Sequence, residues 1–207
     1  MEHIDAVLYL NLEHRTDRKE HVLREIHKMG VDDSKIHRIN AIRAEPGILG
    51  CGQSHRNAVE YAIAHPEWNR ILVLEDDFTF RSDSSHEIQE AISLLCTMTP
   101  ACDVALLSHN HTNLQCVSTT HPSIKKVLYS QTASSYLFTR AYAPVLLQNF
   151  NEGLTDMIRQ GRKHENCIDI HWTRLQPHAT WYTIVPALGY QYQNYSDIEH
   201  RDTNYGC

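Results

Sequence analysis

At 207 residues, with 42% hydrophobic and 21% charged residues, the chain has the size and composition of one globular domain with a full core. A formal charge of −6 argues against a general nucleic-acid surface, which needs clustered Lys and Arg. No stretch approaches the roughly 20 apolar residues that span a bilayer, so no transmembrane segment is expected.

Met1-Glu2-His3-Ile4-Asp5 has neither the basic nor the apolar region of a secretory leader, so a cytoplasmic location is expected. The six cysteines (Cys51, Cys96, Cys102, Cys116, Cys167 and Cys207) show no CxxC pair or zinc-like spacing. Free thiols are expected, and a structural zinc site is not. Fifteen histidines are scattered along the chain rather than gathered in one cluster.

Ala6 to Leu10 reads as a first strand, followed by a loop at Asn11-Leu12-Glu13-His14-Arg15. Asp17 and Glu20 resemble a capping box, and Val22, Leu23, Ile26 and Met29 keep helical spacing up to Gly30. Residues 35–42 complete a β-α-β unit, which implies parallel strands. Gly50-Cys51-Gly52-Gln53-Ser54-His55 opens a second helix that Pro66 stops after His65, and strand 71–74 follows. Ile88, Ala91, Ile92 and Leu95 mark a helix over about 85–98, and 103–107 is a strand. Residues 112–130 are weakly patterned, with a short strand at 127–129. A strand at 135–138, helices at about 141–150 and 155–160, a segment beginning at 168–172 and a strand at 181–185 complete the pattern. The last twenty residues contain no core-like pattern. The expected fold is α/β: a single domain over 1–207, with a mostly parallel central sheet flanked by helices.

The run Ile71-Leu72-Val73-Leu74 followed by Glu75-Asp76-Asp77 carries the most chemistry. Four unbroken apolar residues suit a strand buried on both faces, and ligands of open α/β sheets bind beyond the carboxyl ends of such strands. Three adjacent carboxylates repel one another unless a cation joins them. A hard divalent ion with oxygen ligands, holding substrate phosphates, is the expected remedy.

Leu10-Asn11-Leu12 with Arg15, Asp17 and Arg18, then Gly50-Cys51-Gly52-Gln53-Ser54-His55, then Leu74-Glu75-Asp76-Asp77-Phe78, resemble three blocks of glycosyltransferase family 25 in order. Pro186, Gln191 and Ser196-Asp197-Ile198 are similar to its closing block. The resemblance spans residues 6–198. It implies a GT-A fold with a DxD-type motif, a divalent cation (usually Mn2+) and a nucleotide sugar, UDP-galactose or UDP-glucose. The acceptor it implies is a glycan, a lipid-linked saccharide or a collagen-like protein. Here the D-x-D spacing is filled by Glu75 and Asp77, a departure that leaves open whether Asp76 or Glu75 faces the ribose.

On that resemblance Asp77 is the principal metal ligand, with Glu75 or Asp76 supporting it or contacting the ribose. His200 completes the shell, with Asp197 as a competing ligand. Transfer with inversion needs a general base. Asp169, an acid between Ile168 and Ile170, is the candidate, or else a helix N-cap ahead of Trp172. Asn11, Leu12 and Arg18, with Asn40 and Ala41, form the nucleotide platform. Ser54 and His55 lie beside the diphosphate at a helix N-terminus or orient the metal-binding strand, the plainer reading being a Gly-rich turn with a Ser N-cap. Two other readings use the same residues. One is a catalytically weak relative that binds a nucleotide sugar or glycan; the other is a metal-dependent phosphoryl-transfer enzyme, for which no second acid cluster is evident.

Overall fold

A computed structural model describes residues 3–161, 164–197 and 201–203. In chain order the elements are β1 (Ala6–Asn11), α1 (Thr16–Lys28), β2 (Ile36–Asn40), α2 (Gly47–Ile63), β3 (Arg70–Glu75), β4 (Phe78–Phe80), α3 (Ser85–Thr97) and β5 (Val104–Leu106). There follow β6 (Gln115–Ser118), β7 (Ile124–Tyr129), β8 (Ser135–Thr139), α4 (Ala143–Gln160), α5 (Ile168–His171), β9 (Trp181–Ile184), β10 (Gly189–Gln191), β11 (Asn194–Ser196) and β12 (Arg201–Thr203).

Among the described residues eight strands form the main sheet, in the order β2-β1-β3-β8-β5-β9-β7-β6. β1 is parallel to both β2 and β3, and β5 is parallel to β9. β8 runs against β3 and β5, and β7 against β9 and β6. Six of the eight strands therefore run the same way, as a mostly parallel sheet requires. The chain leaves β1 for one neighbour, β2, and returns on the other side as β3. That reversal creates a crevice at the carboxyl ends of β1 and β3.

The pleat divides the core into two layers. Val7, Tyr9, Leu72 and Leu74 pack with Val22 and Ile26 of α1 and Ile88, Ile92 and Leu95 of α3. Ala6, Leu8, Leu10, Ile71 and Val73 pack with Ala58, Val59 and Ala62 of α2 and Leu146 and Phe150 of α4. Both faces of the central strands are covered, which is why 71–74 carries no polar residue. Among the described residues no helix is long and apolar enough to cross a membrane.

Several elements differ from the sequence expectation. The capping-box reading of Asp17 and Glu20 is replaced: Arg15 precedes α1 without a side-chain cap, and Asp17 instead accepts two hydrogen bonds from the Arg15 guanidinium. α2 begins at Gly47, three residues before the expected start, so Gly50 lies inside it. A Cβ at Gly50 would stand 2.2 Å from the Ile42 carbonyl oxygen; only glycine lets α2 approach the 41–44 segment so closely. The two helices expected at 141–150 and 155–160 are one, α4, continuous through Gly153. β4, β6 and the C-terminal strands were not expected.

Candidate active site

The pleat separates the acids at the end of β3. Ile71 and Val73 face α2, whereas Leu72 and Leu74 face α1. Continued one step further, the alternation sends Glu75 toward α2 and Asp76 toward α1. Glu75 Oε1 lies 2.9 Å from His55 Nε2 and accepts a weak bond from Cys51 Sγ at 3.7 Å. Asp76 accepts from Asn11 Nδ2 at 2.8 Å and from Arg18 Nη1 at 2.9 Å. Asp77 lies between these groups. Its Oδ2 is 3.3 Å from Arg18 Nη1, and its Oδ1 accepts from Gln191 Nε2 at 3.2 Å. The same Gln191 nitrogen donates to Glu75 Oε2 at 2.8 Å.

These environments move the three carboxyls apart. Burial, then the charge of Glu75, pushes Asp77 up to about 7 against the pull of Arg18. Burial also raises Asp76, opposed by Arg18 and by the Asn11 hydrogen bond. Burial works to raise Glu75 as well, but its bond to His55 and the charges of His55 and Arg18 outweigh it, and its pKa falls. Near neutrality Glu75 thus carries charge while Asp77 is divided between its charged and protonated forms, the expected state of crowded carboxylates with too little positive charge nearby. Two buried polar atoms at this corner, Asn11 Oδ1 and Arg18 Nε, have no hydrogen-bond partner.

The C-terminal segment closes over the corner. Arg18 Nη2 donates to Asn194 Oδ1 and, at 2.9 Å, to the Tyr195 carbonyl. Arg15 pairs with Asp197 at 2.5 Å. The result is a cleft of about 400 Å³. Its walls come from the 41–48 segment, the acid corner, Thr132-Ala133, Ile168-Asp169 and the 195–197 segment.

Asp169 accepts a hydrogen bond from the Thr132 N–H at 3.2 Å. Burial raises its pKa, and the negative charge of Glu75 adds to that rise. Thr132 holds φ = 90°, a conformation rarely adopted by β-branched residues and one that collects at functional sites.

Leu12, Arg18, Ala41, Ser54, His55, Glu75, Asp76, Asp77 and Asp169 all line this cleft. Asn11 stands behind it, supporting Asp76. Asn40 does not join them: it is exposed at the end of β2 and absent from the lining, which the following residues Ala41 to Ala44 supply instead. Ser54 is not an N-cap, because α2 starts earlier. Its hydroxyl donates to the Gly50 carbonyl and accepts from the Ile42 N–H. The helix N-terminus expected beside the diphosphate at Ser54 and His55 is therefore displaced to Gly47. Asp169 is not the N-cap of α5 either; that position is Cys167. His200 lies outside the described residues, and Asp197 is engaged by Arg15. Gln191, singled out in the sequence only as part of the closing block, donates to two carboxylates, a role the sequence did not indicate. Cys51 is also brought to the acids, one helical turn before His55 on α2.

No family model and no curated protein matches this sequence. Among solved structures, a glycosyltransferase involved in the glycosylation of the major capsid of PBCV-1 is similar, with 10% identity and a TM-score of 0.50 over 87% of this chain and 81% of that one. A197 from STIV has 9% identity and a TM-score of 0.49, covering 96% and 93% of the two chains. UDP-glucose pyrophosphorylase from Acinetobacter baumanii has 12% identity and a TM-score of 0.47, covering 85% and 61%. At 10% identity the likeness to the first of these is one of fold, the GT-A-like α/β sheet, and it does not reach glycosyltransferase family 25 in particular.

Proposed function

We propose that the chain is a divalent-cation-dependent glycosyltransferase that moves a hexose from a UDP-sugar, UDP-galactose or UDP-glucose, to a hydroxyl of a glycan or protein acceptor with inversion. One observation carries this reading. Carboxylates from distant segments, Glu75 and Asp77 after β3 and Asp169 in α5, line one cleft at the reversal between β1 and β3.

The donor set suits a hard cation. At the end of β3 the three acids Glu75, Asp76 and Asp77 outnumber the one guanidinium, Arg18, which pairs with the last two, and an anionic diphosphate gains nothing from such a corner alone. Oxygens of Glu75 and Asp77 converge on a single nitrogen of Gln191, so a small cation could draw on the same pair. Asp77 and Glu75 would hold Mn2+ or another divalent ion, with His200 the further ligand implied by the sequence resemblance. When bound, the ion supplies Lewis-acid neutralisation of the leaving diphosphate.

The remaining chemistry belongs to the chain. Leu12, Arg18 and Ala41 line the part of the cleft next to β1 and β2, where a uracil and ribose would lie, and Asn11 holds Asp76 behind them. Asp169 is the general base that takes the proton from the acceptor hydroxyl. Its burial raises its basicity, and the Thr132 N–H fixes the carboxyl without donating to both oxygens. That Asp169 lines the same cleft as Asp77 weighs against a protein that only binds.

UDP release measured over a panel of nucleotide sugars, with Mn2+, Mg2+ or a chelator, tests the proposal. Cation-dependent release from a UDP-hexose is expected. UDP binding with no release under any condition would replace it with the reading of a catalytically weak binding relative.

A further inference from the structure

Glu75 divides its two oxygens between different neighbours. Oε2 faces Gln191 on the Asp77 side, whereas Oε1 faces His55 and Cys51 on α2. Cys51 and His55 are four residues apart on that helix and so share a face. The Cys51 sulfur, a His55 ring nitrogen and a Glu75 oxygen all lie within 4.8 Å of one another. A sulfur, an imidazole nitrogen and a carboxylate oxygen form a mixed donor set of the kind that binds zinc-like ions rather than Mg2+ or Mn2+.

We propose that Cys51, His55 and Glu75 form a binding site for a borderline-soft divalent cation of the Zn2+ type, adjoining the oxygen site of Glu75 and Asp77 and distinct from it. The proposal does not rest on the glycosyltransferase reading. Three protein ligands would leave a fourth position for water or substrate, and all three residues line the cleft. The second shell is also in place: the Tyr136 hydroxyl stands 3.1 Å from His55 Nδ1, on the far side of the ring from Glu75. Without a metal, Nε2 is the donor to Glu75; with one bound, the Tyr136 hydroxyl would accept from Nδ1–H and leave the Nε2 lone pair for the metal. Tyr136 and His55 are fully buried, so the ring is held by packing as well. Binding would replace the S–H bond by an S–metal bond and the Nε2–H bond by an N–metal bond, with the thiol proton released to solvent and the ring proton held on Nδ1 facing Tyr136. The cysteine spacing excluded only zinc sites built from cysteine pairs. Here one ligand comes from a strand and two from a helix, a combination that no CxxC pattern reports.

The test is titration of the metal-free full chain with Co2+, a coloured substitute for Zn2+, at neutral pH. One equivalent should develop thiolate-to-metal charge-transfer absorption, and Zn2+ should displace it. Cys51→Ala should abolish the band; Ala suits a helix and the position is half-buried, and circular dichroism checks the fold. Tyr136→Phe should weaken binding by about 10–100-fold, as loss of an outer-shell partner does. In the unaltered protein Zn2+ should slow alkylation of Cys51 but not of Cys116, a measurement that needs no variant. Absence of the band in wild type, its persistence in Cys51→Ala, or alkylation of Cys51 at an unchanged rate would each overturn the proposal. These readouts are separate from UDP release, so failure here leaves the transferase assay standing on its own result.

Discussion

Arg18 and Asp76 meet across 2.9 Å where α1 faces the end of β3, and each side chain is about nine-tenths buried. The same guanidinium reaches Asp77 at 3.3 Å and the Tyr195 carbonyl at 2.9 Å, so one cation ties the first helix, the acid turn and the C-terminal segment together. Removing one partner of a buried ion pair leaves an uncompensated charge, at a cost of about 3–5 kcal/mol. Arg18→Met should therefore lower unfolding free energy by roughly that amount. Adding Asp76→Asn to Arg18→Met should recover part of the loss, because no buried charge remains unpaired at that position. Denaturant unfolding of the two single variants and the double variant measures the coupling. Strictly additive losses would show that the contact carries little energy.

Asp77 differs from Asp76 in having weaker partners, and burial with the Glu75 charge pushes it up to about 7. A carboxyl kept at such cost contributes little to the stability of the metal-free protein. Asp77→Ala should leave the thermal midpoint unchanged or slightly raised while cation-stimulated UDP release falls to background. Full activity in this variant would remove Asp77 from the metal shell.

Asp169→Asn keeps the size of the side chain and the acceptor for the Thr132 N–H, but removes the basic oxygen. UDP affinity, measured by calorimetry, should stay close to wild type, and the rate of transfer should drop by about 10²–10⁴-fold, the usual contribution of a general base. If UDP affinity fell along with the rate, Asp169 would be a structural support of the cleft wall.

The central strands and their helices were legible because the pattern 71–74 is apolar on both faces and Val22, Ile26 and Met29 recur on one side of α1 and its C-cap. The acid corner was legible because three carboxylates stand together in sequence. What was not legible is how their charges are met. Arg18, His55 and Gln191 come from separate segments: the register of β1 on β3 sets Leu10 opposite Glu75, and the pairing of β10 with β4 sets Gln191 opposite Phe78. The C-terminal segment looked structureless because Asn194, Tyr195 and Asp197 dock through polar contacts to Arg15 and Arg18, which leave no hydrophobic period. Gly50 misled the helix start: a glycine required for close approach to Ile42 reads in sequence like a turn.

His109 supplies a pH dependence that needs no ligand. It is 1% exposed, its Nδ1 pairs with Thr183 Oγ1 at 3.0 Å, and its Nε2 has no partner. Burial, helped by the neighbouring His111 and Arg81, lowers its pKa to about 4. In the unfolded chain a histidine titrates near 6.5. Between those values the unfolded state binds a proton that the folded state refuses. The contribution is thus fully present above about pH 6.5, is lost as pH falls toward 4, and is level below that. At about 1.4 kcal/mol per unit, the loss is on the order of 3 kcal/mol. His21, His37 and His171 are also depressed by burial, so the wild-type slope is a sum, and the difference from His109→Gln isolates this residue. Urea unfolding across roughly pH 7 to 4 should give a shallower loss of stability in His109→Gln than in wild type. Parallel curves for the two proteins would mean that His109 accepts its proton within the folded state.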